Sequence, residues 1–124
     1  MARRRPKRRQ PQERLKAPTS DYTDADGNVL TLRGSLTAST RLRYARTLAG
    51  HEGSAASTIE DAWQRAVELL FEHLAVRWVI AGAPIERQRE LLARFRAASA
   101  DERTWVRGAL RAHCAEHFPE LETP

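Results

Sequence analysis

The sequence predicts a mainly α protein: a four-helix domain carrying a short N-terminal β-hairpin and preceded by a disordered basic N-terminal arm. Three observations lead there. Apolar residues recur at helical spacing from about residue 40 to residue 117, with breaks at Gly50, at Gly82 with Pro84, and around Ser99. Two Ser-x-x-Glu boxes, Ser57 to Glu60 and Ser99 to Glu102, have the pattern that opens a helix. Before them, the turn-forming run Asp24-Ala25-Asp26-Gly27-Asn28 separates two short segments of strand character. A chain of 124 residues has room for one such domain, assigned to residues 21–124, behind an arm at 1–20.

The arm combines Pro6, Pro11 and Pro18 with a run of cations and has Leu15 as its one sizeable apolar residue. It has too little apolar surface to offset the entropy of ordering, so disorder is expected until a partner binds. The hairpin follows at about 22–36. Leu30, Leu32 and Leu36 share one face of its second strand, while Thr31, Arg33 and Ser35 share the other. Two strands alone are marginal in water, so the hairpin must pack on helices.

The first helix is expected at about 40–49, capped by Thr37 or Ser39 and ended by Gly50. Leu42, Ala45 and Leu48 are assigned to its inner face. The second, at about 58–81, confines Asp61, Gln64, Arg65, Glu68 and Glu72 to one polar strip. Most of its remaining circumference is apolar, including Ile59, Trp63, Leu70, Leu74 and Trp78. Such a helix belongs in the core or in a subunit interface. The third is placed at about 85–98 with Ile85, Leu91, Leu92 and Phe95 inward and a Glu90–Arg94 surface pair. The fourth, at 100–117, presents Trp105, Val106, Ala109, Leu110 and Cys114.

Charge is segregated along the chain. The whole sequence holds 21 Lys+Arg and 16 Asp+Glu for a net charge of +5. Eight of those cations and a single acid, Glu13, fall within residues 1–16, which therefore carry +7 and leave the other 108 residues at −2. The sequence pI near 10.3 is thus a property of the arm. One cysteine, Cys114, allows no internal disulfide and points to a reducing compartment. The most apolar stretch, Ala66 to Ala83, is interrupted by Glu68, Glu72, His73 and Arg77, so no membrane span is expected. The basic start lacks the apolar run of a signal peptide. These features place the chain in the cytoplasm, or at the nucleoid if it binds DNA.

The arm is the strongest functional signal. Arg3, Arg4, Arg5, Lys7, Arg8, Arg9, Arg14 and Lys16 suit a phosphate backbone, where cations displace condensed counterions with little regard for base sequence. Arg41, Arg43 and Arg46 on the first helix extend that contact, with Thr40 and Tyr44 available to hydrogen-bond phosphate. An ordinary solvated face explains the same three arginines equally well. A helix-turn-helix built from the third and fourth helices is disfavoured, because Asp101 and Glu102 would enter the groove first.

His113 and His117 stand one turn apart, the spacing of helical zinc ligands, with Cys114 beside them. Without a paired-cysteine motif or an evident fourth ligand they are read as helix histidines, so neither metal nor cofactor is expected. Asp24-x-Asp26-x-Asn28 imitates an EF-hand opening, but Val29 and Ser35 stand where a glycine and an acid are needed. No phosphate loop, nucleophile elbow or dinucleotide fingerprint supports an enzyme. The expected function is that of a small nucleic-acid-binding accessory or regulatory protein, for DNA or RNA. The alternative is a helical protein–protein adaptor or oligomerising subunit, working through the apolar second helix with Trp63 and Trp78 and using the tail only as an auxiliary.

Overall fold

The computed structural model describes residues 18–50 and 59–124. Most of the expected arm, and Ser57 of the first expected capping box, lie outside the described residues. Within them the element order is β1 (Thr19–Thr23), β2 (Val29–Arg33), α1 (Ala38–Leu48), α2 (Ile59–Leu74), β3 (Ala75–Ile80), β4 (Ala83–Ile85), α3 (Gln88–Arg96) and α4 (Ala100–His117). The strands form one antiparallel sheet in the order β1-β2-β3-β4. This corrects the expected fold class. The described residues contain four helices, but they pack on a four-stranded sheet instead of making a four-helix domain with an attached hairpin.

The expected hairpin is present, with β1 starting at Thr19 inside the stretch assigned to the arm and β2 ending at Arg33. Its turn is held by the Asp24 carboxylate. Oδ1 accepts the backbone N–H groups of Asp26 at 2.8 Å and Asn28 at 2.9 Å, and Oδ2 accepts the Asn28 side-chain amide at 3.0 Å. Leu30 and Leu32 are fully buried, as their alternation requires.

The largest difference lies at residues 75–85. The helix expected to run to 81 ends at Leu74, and Ala75-Val76-Arg77-Trp78-Val79-Ile80 continues as β3 without an intervening loop. Its β-branched and aromatic residues suit a half-buried pleated surface, and β2 supplies the hydrogen-bonding edge. The pairing steps from Thr31↔Arg77 to Leu32↔Ala75, so Val76 is the extra residue of a bulge. That bulge resets the alternation and turns both Ala75 and Trp78, three positions apart, into the core. Apolar residues three apart are also what a helix presents, which is why the segment reads as one. Ala81 and Gly82 then form a two-residue turn with φ of 51° and 80°, as a type I′ hairpin needs, and β4 follows. Ile85, assigned to the third helix, is a strand residue facing Trp78.

Leu30, Leu32, Ala75 and Trp78 turn toward the helices, while Thr19, Asp21, Thr23, Arg33, Arg77 and Pro84 alternate with them and are exposed. Against the inner face α2 supplies Leu70, Phe71 and Leu74. The Phe71 ring stacks on Phe95 of α3 at 4.7 Å between centroids and meets Trp78 edge-on at 5.7 Å. Burying each such side chain contributes roughly 1.5–3 kcal/mol.

On α1, Thr37 is the cap, its hydroxyl accepting the Thr40 N–H at 3.1 Å. The helix is rolled relative to expectation. Tyr44 and Thr47 are buried, whereas Leu42 is 61% exposed and Ala45 is also on the outside. Tyr44 offers more area than Leu42, and its hydroxyl finds an acceptor in the Glu122 carbonyl. The Ser99–Glu102 box forms as expected, with both reciprocal hydrogen bonds present. Arg94 pairs with Glu102 at 2.6 Å instead of with Glu90, and this hydrogen bonding holds the Glu102 carboxyl below the usual carboxylate range.

Candidate nucleic-acid interface

Arg3, Arg4, Arg5, Lys7, Arg8, Arg9, Arg14 and Lys16 lie outside the described residues. The three arginines of α1 are described, and they do not act as one face. Successive helical residues turn by about 100°, which sets Arg41 and Arg43 on nearly opposite sides and brings Arg46 back toward Arg43. Arg41 reaches the C-terminal tail, where Nη1 lies 2.8 Å from a Glu120 carboxylate oxygen and the guanidinium sits over the Phe118 ring at 5.3 Å. Tyr44, expected to reach phosphate, is 1% exposed and turned into the core. Arg43 and Arg46 are exposed.

The structure brings Arg43 into company that sequence spacing does not reveal. It lines a cleft of about 220 Å³ with Thr47 of α1, Arg65, Glu68, Leu69 and Glu72 of α2, and Arg96 of α3. Arg96 bonds Glu68 at 3.0 Å and neutralises it. Arg65 keeps Nε and one terminal nitrogen buried without a hydrogen-bond partner, an unmet demand for an acceptor.

Glu68 and Arg96 also belong to a larger adjoining cleft of about 640 Å³. Its floor includes Val67 and Phe95, one wall is α2 with Ile59, Glu60, Trp63 and Gln64, and the other is α4 with Arg103, Thr104 and Arg107. The two clefts together gather Arg43, Arg65, Arg96, Arg103 and Arg107 from four helices against Glu60, Glu68 and Glu72. In a body whose sequence outside the arm is net negative, this is a local concentration of cations. Arg103 and Arg107 stand one helical turn apart, a spacing the sequence shows, but neither was among the expected contacts. The rest depends on which helices become neighbours.

His113 and His117 are accounted for by hydrogen bonding. His113 is fully buried, its Nε2 lies 2.8 Å from the Arg33 carbonyl and its Nδ1 lies 2.8 Å from the Tyr22 hydroxyl. A carbonyl only accepts, so Nε2 carries the hydrogen and Nδ1 accepts from Tyr22. Both ring nitrogens are thereby engaged, and burial pushes the imidazole pKa down, favouring the neutral ring. His117 packs beside it at 4.3 Å between centroids, with Nε2 3.4 Å from the Ser20 hydroxyl. Gly34 permits this approach, since a Cβ there would stand 3.2 Å from the His117 ring and 3.1 Å from the Pro18 carbonyl. Among the described residues no cluster of three or more His, Cys, Asp or Glu side chains is arranged to hold a metal ion. Cys114 is 1% exposed, and burial pushes its thiol up to about 11, leaving it protonated and inert.

Among the described residues no helix is long and apolar enough to cross a membrane. Compared with known proteins, the chain matches no protein-family model, and no curated protein or solved structure matches it significantly.

Proposed function

We propose that this protein is a small nucleic-acid-binding accessory protein, a regulator or nucleoid component of the cytoplasm, that grips the phosphate backbone through its Arg-rich N-terminal arm. The segregation of charge carries this reading: +7 within residues 1–16 beside a body of net −2. Arg43 with Arg65 and Arg96, in the smaller cleft, offers the folded body a second place for phosphate. Arg41 contributes less, because Glu120 already neutralises it. Arg46 is exposed and close to Arg43 around the helix but lines neither of these clefts.

Labelled DNA and RNA titrated with the full chain and with a chain lacking residues 1–16, across a salt series, test the reading. The full chain should bind with a steep fall of log K against log salt, at most roughly −7 for eight duplex phosphates neutralised. Truncation should abolish most of that slope, and an affinity unchanged by truncation overturns the proposal. Replacing Arg43 by alanine in the full chain should weaken binding about equally for all sequences and reduce the slope by about one if that arginine neutralises one phosphate.

A second reading, a protein–protein adaptor, is favoured by the first turns of α2. Ile59 is 71% exposed and Trp63 44%, and both line the larger cleft. Trp78, expected to share that surface, is a core residue at 2% exposure and takes no part.

A further inference from the structure

We infer that the larger cleft is a homodimer interface, in which α2 and α4 of one chain meet α4 and α2 of a second copy across a two-fold axis running parallel to the cleft at its mouth. This rests on the adaptor reading of α2 and is independent of nucleic-acid binding. Ile59 and Trp63 are two of the three large hydrophobic residues that the described chain exposes, and they stand together on one wall of the cleft. Water contact with that much apolar surface is unfavourable unless something covers it.

The charges identify the cover. The α2 wall carries Glu60, and the α4 wall carries Arg103 and Arg107. Arg96 and Glu68 neutralise each other between them. Arg103 is held through a hydrogen bond to the Arg96 carbonyl at 3.2 Å, while Glu60 and Arg107 are both exposed. A two-fold axis parallel to the cleft at its mouth exchanges the walls, so the acidic wall of each copy faces the basic wall of the other, and the pairing occurs twice. A nucleic acid would meet Glu60 unfavourably on one side, and an acidic peptide would do the same. A second copy satisfies both walls at once and covers Ile59 and Trp63 with the aliphatic stems of the opposing α4 arginines.

Light scattering and sedimentation of the full chain, freed of nucleic acid by nuclease treatment, test this directly. The wild-type chain should be dimeric at micromolar concentration. Glu60→Arg alone and Arg107→Glu alone should each shift the chain toward monomer, with circular dichroism checking that α2, whose first turn holds Glu60, stays folded. Mixing the two single variants should then restore a dimer, since each pairing in the mixed dimer joins opposite charges. No intramolecular role of these residues predicts recovery on mixing. A monomer at every concentration overturns the dimer and leaves the adaptor reading standing. A dimer indifferent to both reversals and to Trp63→Glu overturns the assignment to this cleft, and with it the α2 interface. Two monomeric variants that stay monomeric when mixed also overturn the proposal.

Discussion

Tyr22 on β1 donates its hydroxyl hydrogen to Nδ1 of His113 on α4 over 2.8 Å, and the two rings meet edge-on with centroids 5.6 Å apart. Residues 91 positions apart are thereby joined by one directional bond, and the same imidazole reaches the Arg33 carbonyl at the end of β2. His113 thus ties the hairpin to the last helix. Its hydrogen bonds need the neutral ring, because a protonated Nδ1 could no longer accept from Tyr22.

A pH dependence follows, with a definite sign. Burial lowers the His113 pKa in the folded protein below its ordinary value, so the unfolded chain binds the extra proton first. Stability is therefore full above about pH 6.5 and declines as pH falls toward the depressed folded pKa. Thermal unfolding between pH 7 and 5 should show a falling melting temperature, and His113→Gln should flatten that decline while lowering stability at pH 7. Glu102 acts in a separate window, since its depressed carboxyl pKa contributes stability that is lost only below the ordinary carboxylate pKa. Tyr22→Phe should cost about 1–3 kcal/mol at pH 7 by leaving the buried Nδ1 without a donor.

The roll of α1 can be tested by two truncations on the same helix. Tyr44→Ala removes a buried ring and its hydrogen bond to the tail and should cost about 3–5 kcal/mol in urea unfolding. Leu42→Ala removes an exposed side chain and should stay within about 0.5 kcal/mol of wild type. Equal losses at the two positions would mean that the helix is turned the other way.

At the β3–β4 turn, Ala81 holds φ of 51°, a left-handed conformation that disfavours a side chain of alanine's type. Asparagine tolerates that region and, followed by Gly82, gives the preferred Asn-Gly sequence of a type I′ turn. Ala81→Asn should therefore raise stability by about 0.5–1 kcal/mol, read as a higher denaturation midpoint with an unchanged slope. A lower midpoint would contradict the turn assignment.

The sequence by itself determined the parts of this protein that rest on neighbouring residues. The Asp24–Asn28 turn, a cap at Thr37 or Ser39 that the structure places at Thr37, the reciprocal Ser99–Glu102 box and the span of α4 all depend on groups a few positions apart, whose chemistry is visible in the chain. The separation of a +7 stretch from a body of −2 is likewise a count, and it still carries the functional proposal. Tertiary structure decided what a periodic pattern leaves degenerate. Leu74, Ala75 and Trp78 fit a helix as well as a helix ending in a bulged strand, and the free edge of β2 selects the strand by pairing with it. Either Leu42 or Tyr44 could have led α1 into the core, and the tail carbonyl that receives the Tyr44 hydroxyl settles the roll. The gathering of Arg43, Arg65, Arg96, Arg103 and Arg107 is decided the same way. Each is an ordinary surface arginine along the chain, and apart from Arg103 and Arg107, one turn apart on α4, only the packing of four helices against one sheet makes them neighbours.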